Sequence, residues 1–267
     1  MNQFKSQISN RKARPFVIVF SGYGLNCEEE TLHAFETAGA RGQIVHINDA
    51  IEKPEMLDTA QIIAMPGGFS YGDDIGSGKA YGNRLRGHLG AKLQKFFDRD
   101  TLTIGICNGF QILTAAGILP GALLANDSGR YSCRWVDLDI AGESPWFSGI
   151  QRLSLPIAHG EGKYYAPQET LQQLQSDKAI ALRYVKGDIS THLDLPGNPN
   201  GSIENIAGVS AKKGRILGLM PHPERGISFF QLPHWTYLKE SYIRKGEPLP
   251  EEGPGLQLFR NAVHYFA

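Results

Sequence analysis

The sequence predicts an α/β protein: an open, mostly parallel sheet with helices on both faces and an antiparallel β extension. Three observations carry this. The runs FVIVF (16–20), QIIAM (61–65) and TLTIGI (101–106) are almost continuously apolar, as strands covered on both faces are. Helical stretches separate them, and strand–helix–strand crossovers place neighbouring strands parallel. Beyond about residue 120 the rhythm changes to closely spaced strands that alternate apolar and polar residues, the antiparallel habit.

The elements follow in order. FVIVF is bounded by Pro15 and SGYG. CEEETLHAFETAGA (27–40) has acids in its first turn, Leu32, Phe35 and Ala38 at helical spacing, and Gly39 as a stop. QIVHI (43–47) and QIIAM are strands, a helix is expected over about 78–98, and TLTIGI leads into the helix NGFQILTAAG (108–117). RYSCRWVDLDIAG (130–142) alternates as an exposed antiparallel strand does, and RLSLPIAHGEGKYYAP (152–167) and AIALRYV (179–185) follow. IAGVSAKKGRILGLM (206–220) has a Lys-Gly turn between apolar runs and reads as a hairpin. LDLPGNPNGS (193–202) is too rich in Gly, Pro and Asn for anything but loop, and LQLFRNAVHYFA (256–267) is an amphipathic helix. The expected organisation is a polar tail at 1–14 and a single domain over 15–267, with the antiparallel part extending the same sheet.

Composition removes several function classes. The 267 residues are 41% hydrophobic and 20% charged, as in folded globular proteins, and 27 Lys+Arg balance 27 Asp+Glu. No charge excess argues for nucleic acid or an acidic membrane as partner. Three scattered cysteines (27, 107, 133) make no disulfide framework. The first residues, MNQFKSQISNRKARP, lack the apolar core of a signal peptide, and no apolar run reaches the length of a membrane span. A cytoplasmic location is expected.

The chemistry points to Cys107. Gly105-Ile106-Cys107-Asn108-Gly109 has the form of a nucleophile elbow with cysteine, at a strand–helix junction and at the strand edge where open α/β sheets bind ligands. There the thiol meets a helix N-terminus, which favours thiolate, and the Asn108 amide can face an oxyanion. Cys27 and Cys133 read as packing residues.

A cysteine nucleophile needs a base and a group that orients it. Two stretches have H-x-E spacing, AHGEG (His159, Glu161) and MPHPER (His222, Glu224), and periodicity cannot choose between them. Prolines on both sides of His222 restrict its backbone and lean the choice that way, while Gly160 and Gly162 suit a binding loop. Neither spacing is that of a zinc site, so no metal is expected. MPGGFSYGDD (65–74) ends a strand at the same edge, where its paired glycines can present amides to an oxyanion. Its spacing fits neither common phosphate loop.

Taken in order, GICNGFQ, GGFSYGD, HGEG, NPNGS and MPHPER resemble class I (triad-type) glutamine amidotransferases, over roughly residues 15–226. Among these they resemble the glutaminase subunits of phosphoribosylformylglycinamidine synthase. The resemblance implies a flavodoxin-like domain and hydrolysis of glutamine to glutamate and ammonia through a γ-glutamyl thioester. It implies Cys107 as nucleophile, His222 as base and Glu224 as its orienter. The amides of Gly68 and Asn108 would form the oxyanion hole, and Gln111, His159 and Glu161 would lie at the substrate pocket. A synthetase partner is implied, with ATP and Mg bound there and no cofactor in this chain, and a small subunit bridging the two. A stand-alone γ-glutamyl hydrolase or cysteine peptidase of the same architecture is the alternative. Two departures stand out: a longer first loop, SGYGLNCEEE, and an insertion expected at about 227–254, whose aromatics (Phe229, Phe230, Trp235, Tyr237) would pack locally or form a partner surface, with local packing favoured.

Overall fold

A computed structural model describes residues 14–73 and 76–267; the expected polar tail, apart from Arg14, lies outside the described residues. The chain runs through β1 (Phe16–Ser21), α1 (Glu28–Thr37), β2 (Arg41–His46), α2 (Ile47–Glu52), β3 (Ile62–Met65), α3 (Lys79–Asp98), β4 (Leu102–Ile106) and α4 (Asn108–Ala115). It continues through β5 (Ala122–Leu124), β6 (Ser132–Ile140), β7 (Arg152–His159), β8 (Lys163–Tyr165), α5 (Gln168–Ser176), β9 (Ile180–Val185) and α6 (Asp188–His192). The last elements are β10 (Ile206–Ala211), β11 (Ile216–Leu219), α7 (Trp235–Lys245) and α8 (Leu256–His264).

Among the described residues nine strands form one open sheet in the order β2-β1-β3-β4-β11-β10-β9-β6-β7, and β5 pairs with β8 in a small ribbon. From β2 to β11 the pairing is parallel; from β11 through β7 it is antiparallel. The β10–β11 hairpin is the joint, because β11 pairs parallel to β4 on one side and antiparallel to β10 on the other. The antiparallel strands therefore extend the same sheet.

Strands β3, β4 and β11 are buried at every residue, which explains their unbroken apolar sequence. One group of helices, α2, α3 and α4, packs together, while α1 packs against α8. Phe35 of α1 meets Phe259 of α8 edge-to-face with centroids 4.8 Å apart. Helix α1 buries Thr31, Ala34 and Phe35, with Leu32 and Ala38 at the margins of that face. Its three leading glutamates lie at the positive end of the helix dipole, and Gly39 at φ 104° ends it.

The sequence reading of β6 as an exposed strand is corrected. It lies inside the sheet between β9 and β7, and Val136, Asp137 and Leu138 are buried. Alternation reports how many faces are covered, not whether both edges are paired. Asp137 tolerates burial because its carboxylate accepts from the Ser190 amide and hydroxyl (2.9 Å each) and from Ser154 Oγ (3.0 Å). Cys133, read as a packing residue, is exposed on this strand.

Within 227–254, Phe229 is buried and its ring meets Phe230 and Tyr242 edge-on, while Phe230 meets Trp235. Helix α7 has no buried residue, and Tyr237 is exposed.

Candidate active site

The site lies beyond the carboxyl ends of β3, β4 and β11, three adjacent parallel strands. Register sets it: Met65 pairs with Gly105, and Leu219 with Ile106, so the three strands stop together. The Cys107 amide then donates to Leu219 O at 2.8 Å, which fixes the turn.

Cys107 has φ 51° and ψ −106°, a strained conformation for a residue with a side chain. The turn exists because its neighbours lack Cβ atoms. A Cβ on Gly109 would lie 1.9 Å from Met65 O. The thiol, buried at the N-terminus of α4, donates to Ala158 O at 3.7 Å.

His222 follows β11, with its amide donating to Pro156 O of β7 at 2.8 Å. Its Nδ1 donates to Glu224 Oε1 at 2.6 Å, and both side chains are buried. Nε2 has no hydrogen-bond partner among the described residues. Burial opposes a charged imidazole here, but the Glu224 carboxylate and the Cys107 sulfur outweigh it and hold His222 well above its ordinary value.

Gly68 has φ 148°, and residues 24–26 lie directly against it. Leu25 bridges to Gly68, the Phe69 amide donates to Gly24 O, and the Asn26 and Cys27 amides donate to Gly67 O. Neither the Gly68 amide nor the Asn108 amide donates to a backbone acceptor among the described residues.

A chain of hydrogen bonds ties these loops together. The Ser70 amide donates to Asn108 Oδ1 (3.0 Å) and Asn108 Nδ2 to Gln111 Oε1 (2.7 Å). Gln111 Nε2 donates to Glu161 O (2.6 Å), and the Ser77 amide to Glu161 Oε2 (3.1 Å). Gln111 and Glu161 thus join the glycine-rich loop to the HGEG turn.

His159 belongs to the same neighbourhood, since β7 carries both Ala158 beside the thiol and Pro156 beside His222. It is buried, its Nδ1 faces Asn126 Oδ1 at 3.2 Å, and burial with repulsion from His222 lowers its pKa to about 4. It is a neutral imidazole. The turn after it is built from NPNGS: Asn200 Nδ2 donates to Gly162 O, and the Tyr164 amide to Ser202 Oγ.

The structure thus brings Cys107, His222, Glu224, Gly68, Asn108, Gln111, His159 and Glu161 to one edge. The sequence reading placed Cys27 outside the site; in the fold its thiol, one donor atom of His222 and one of Glu224 all lie within 4.8 Å of one another. An ion among these donors would compete with the His222–Glu224 hydrogen bond. The signal was positional, since Cys27 lies in the loop after β1, at the same sheet edge that made Cys107 notable.

Comparison with known proteins agrees with this geometry. Residues 14–266 match the CobB/CobQ-like glutamine amidotransferase domain. Over 268 residues the chain is 44% identical to the phosphoribosylformylglycinamidine synthase subunit PurQ of Methanococcus maripaludis, covering 96% of this chain and 98% of the relative. The PurQ subunit of Dehalococcoides mccartyi is 43% identical, with 91% and 94% covered. Among solved structures, a chain of PurLQS from Thermotoga maritima superposes with a TM-score of 0.72 at 30% identity, covering 95% of this chain and 100% of that one. The chain belongs to this family of glutamine amidotransferase domains and, within it, to the PurQ family of phosphoribosylformylglycinamidine synthase subunits.

Proposed function

We infer that this chain is the glutaminase subunit of a phosphoribosylformylglycinamidine synthase, hydrolysing glutamine and handing the ammonia to a synthetase partner. The observation that carries the reading is Cys107 on a strained elbow beside the buried His222–Glu224 pair. The Cys107 sulfur attacks the side-chain amide carbon of glutamine while His222 holds the thiol proton. The developing oxyanion meets the amides of Gly68 and Asn108, and one such donor contributes roughly 2.7–4 kcal/mol. His222 then gives the proton to departing ammonia, leaving a γ-glutamyl thioester that water hydrolyses. Glu224 keeps the imidazole in one tautomer and stabilises its charge. Gln111, Glu161 and His159 shape the pocket that takes the glutamine.

The synthetase partner uses ATP and Mg to convert formylglycinamide ribonucleotide to its amidine, and a small subunit bridges the two. No helix among the described residues is long and apolar enough to cross a membrane. A cytoplasmic site of action fits this pathway.

The test is covalent trapping. A glutamine analogue with an electrophilic carbon at the amide position is expected to label Cys107 alone, read by peptide mass. Labelling of Cys27 or Cys133 instead would overturn the assignment of the nucleophile.

A further inference from the structure

The first loop ends at Cys27, a buried thiol with no part in the chemistry above. Its surroundings are specific. Arg225 Nη2 donates to Cys27 Sγ at 3.1 Å, and Arg225 Nε donates to Glu30 Oε1 of α1 at 2.8 Å. The guanidinium is thus fixed from the helix side and holds the sulfur from behind. Arg225 directly follows Glu224, so the same short turn carries the orienting carboxylate and the group that holds Cys27.

The sulfur and the imidazole also press on one glycine. A Cβ on Gly67 would lie 2.8 Å from His222 Cε1, 3.0 Å from Cys27 Sγ and 3.4 Å from His222 Nδ1. No side chain fits there, and the Cys27 amide donates to Gly67 O at 3.3 Å. Cys27 therefore touches both halves of the site, the loop that carries Gly68 and the ring that serves Cys107.

We propose that Cys27 is a positioning residue of the glutaminase reaction: its thiol, backed by Arg225, wedges the His222 ring between Glu224 and Cys107. The proposal rests on the reading of Cys107, His222 and Glu224 as the catalytic groups. Burial, the largest influence, pushes the Cys27 thiol up despite His222 and Arg225, so it stays protonated and does not compete as a nucleophile. A neutral group of this size holds the ring without adding a second negative charge beside Glu224.

The charged and titratable groups around the ring are Glu224, Cys107, Cys27, His159 and Tyr131, with Arg225 and Glu30 behind Cys27. Removing Cys27 frees the ring on one side only, so the Cys107–His222 pair weakens while the others stay in place. Small misplacements of a catalytic group cost up to about 10²-fold in rate.

The experiment uses the complex with its synthetase. Cys27→Ala is expected to lower kcat for glutamine-dependent synthesis about tenfold, with KM for glutamine little changed. Cys27→Ser keeps an acceptor for Arg225 and should restore most of the rate. Arg225→Met, which removes the backing, should repeat part of the loss without touching the thiol. Wild-type kcat in Cys27→Ala, or a Cys27→Ser variant as impaired as Cys27→Ala, would overturn the proposal. Glutamine-dependent activity surviving in Cys107→Ala would instead overturn the underlying reading of the site, so the two failures are distinct.

Discussion

Glu224 accepts the His222 Nδ1 proton across 2.6 Å, and neither side chain is open to solvent. This relationship fixes which nitrogen remains for the nucleophile. With Nδ1 committed to Glu224, Nε2 is the nitrogen left free for the proton exchange with Cys107 that the proposed function requires. Glu224 also helps hold His222 above its ordinary pKa, so the imidazolium survives to higher pH than a free histidine.

A neutral isostere at Glu224 removes that charge. In Glu224→Gln the His222 pKa should fall, and the alkaline limb of the kcat/KM profile, where the imidazolium loses its proton, should move to lower pH. The loss of rate should be smaller than for His222→Ala, expected at about 10²–10⁴-fold. The measurement is the pH profile of thioester formation in single turnover. An unmoved alkaline limb would show that Glu224 does not act through His222.

His159 predicts an acid-linked loss of stability. Its folded pKa is lowered from 6.5 to about 4, so between these values the unfolded chain binds a proton that the folded chain refuses. Stability from this group is present above pH 6.5 and falls as pH drops toward 4. The shift corresponds to ~3 kcal/mol. Urea denaturation of wild type and His159→Asn at several pH values checks it. The variant should lose less stability on acidification, and parallel pH dependences would contradict the prediction.

The elbow predicts opposite outcomes for two glycines. Gly109→Ala places a methyl 1.9 Å from Met65 O, a backbone atom that cannot turn aside, and should cost at least about 3 kcal/mol. Gly87, exposed in α3, has nothing among the described residues within 4 Å of its Cβ position, and Gly87→Ala should stabilise by about 0.5–1 kcal/mol. Thermal unfolding of the two variants decides this. Equal Tm values would refute the steric account of the turn.

The strand–helix part was legible because burial on both faces leaves unbroken apolar runs such as Ile62–Met65 and Leu102–Ile106. Cys107 was legible because its turn needs glycines at fixed offsets, and those are visible in sequence. The edge pairing of β6 was not, since alternation says nothing about neighbours. Nor was the choice between His159 and His222, because both follow strands that end at the same edge; the motif resemblance made that choice. The surroundings of Cys27 were not legible, because Arg225 is 198 residues away and meets it only through the fold. The NPNGS stretch was visible as a motif, but the contact by which Asn200 holds the HGEG turn from 38 residues downstream was not.

In the proposed function Cys107 serves only to release ammonia from glutamine. The direct measurement is amidine synthesis by the reconstituted complex carrying Cys107→Ala, with glutamine or with ammonium as nitrogen source. Glutamine-dependent synthesis should vanish while ammonia-dependent synthesis continues at the wild-type rate. Retention of glutamine-dependent synthesis, or loss of both activities in a folded complex, would contradict the claim.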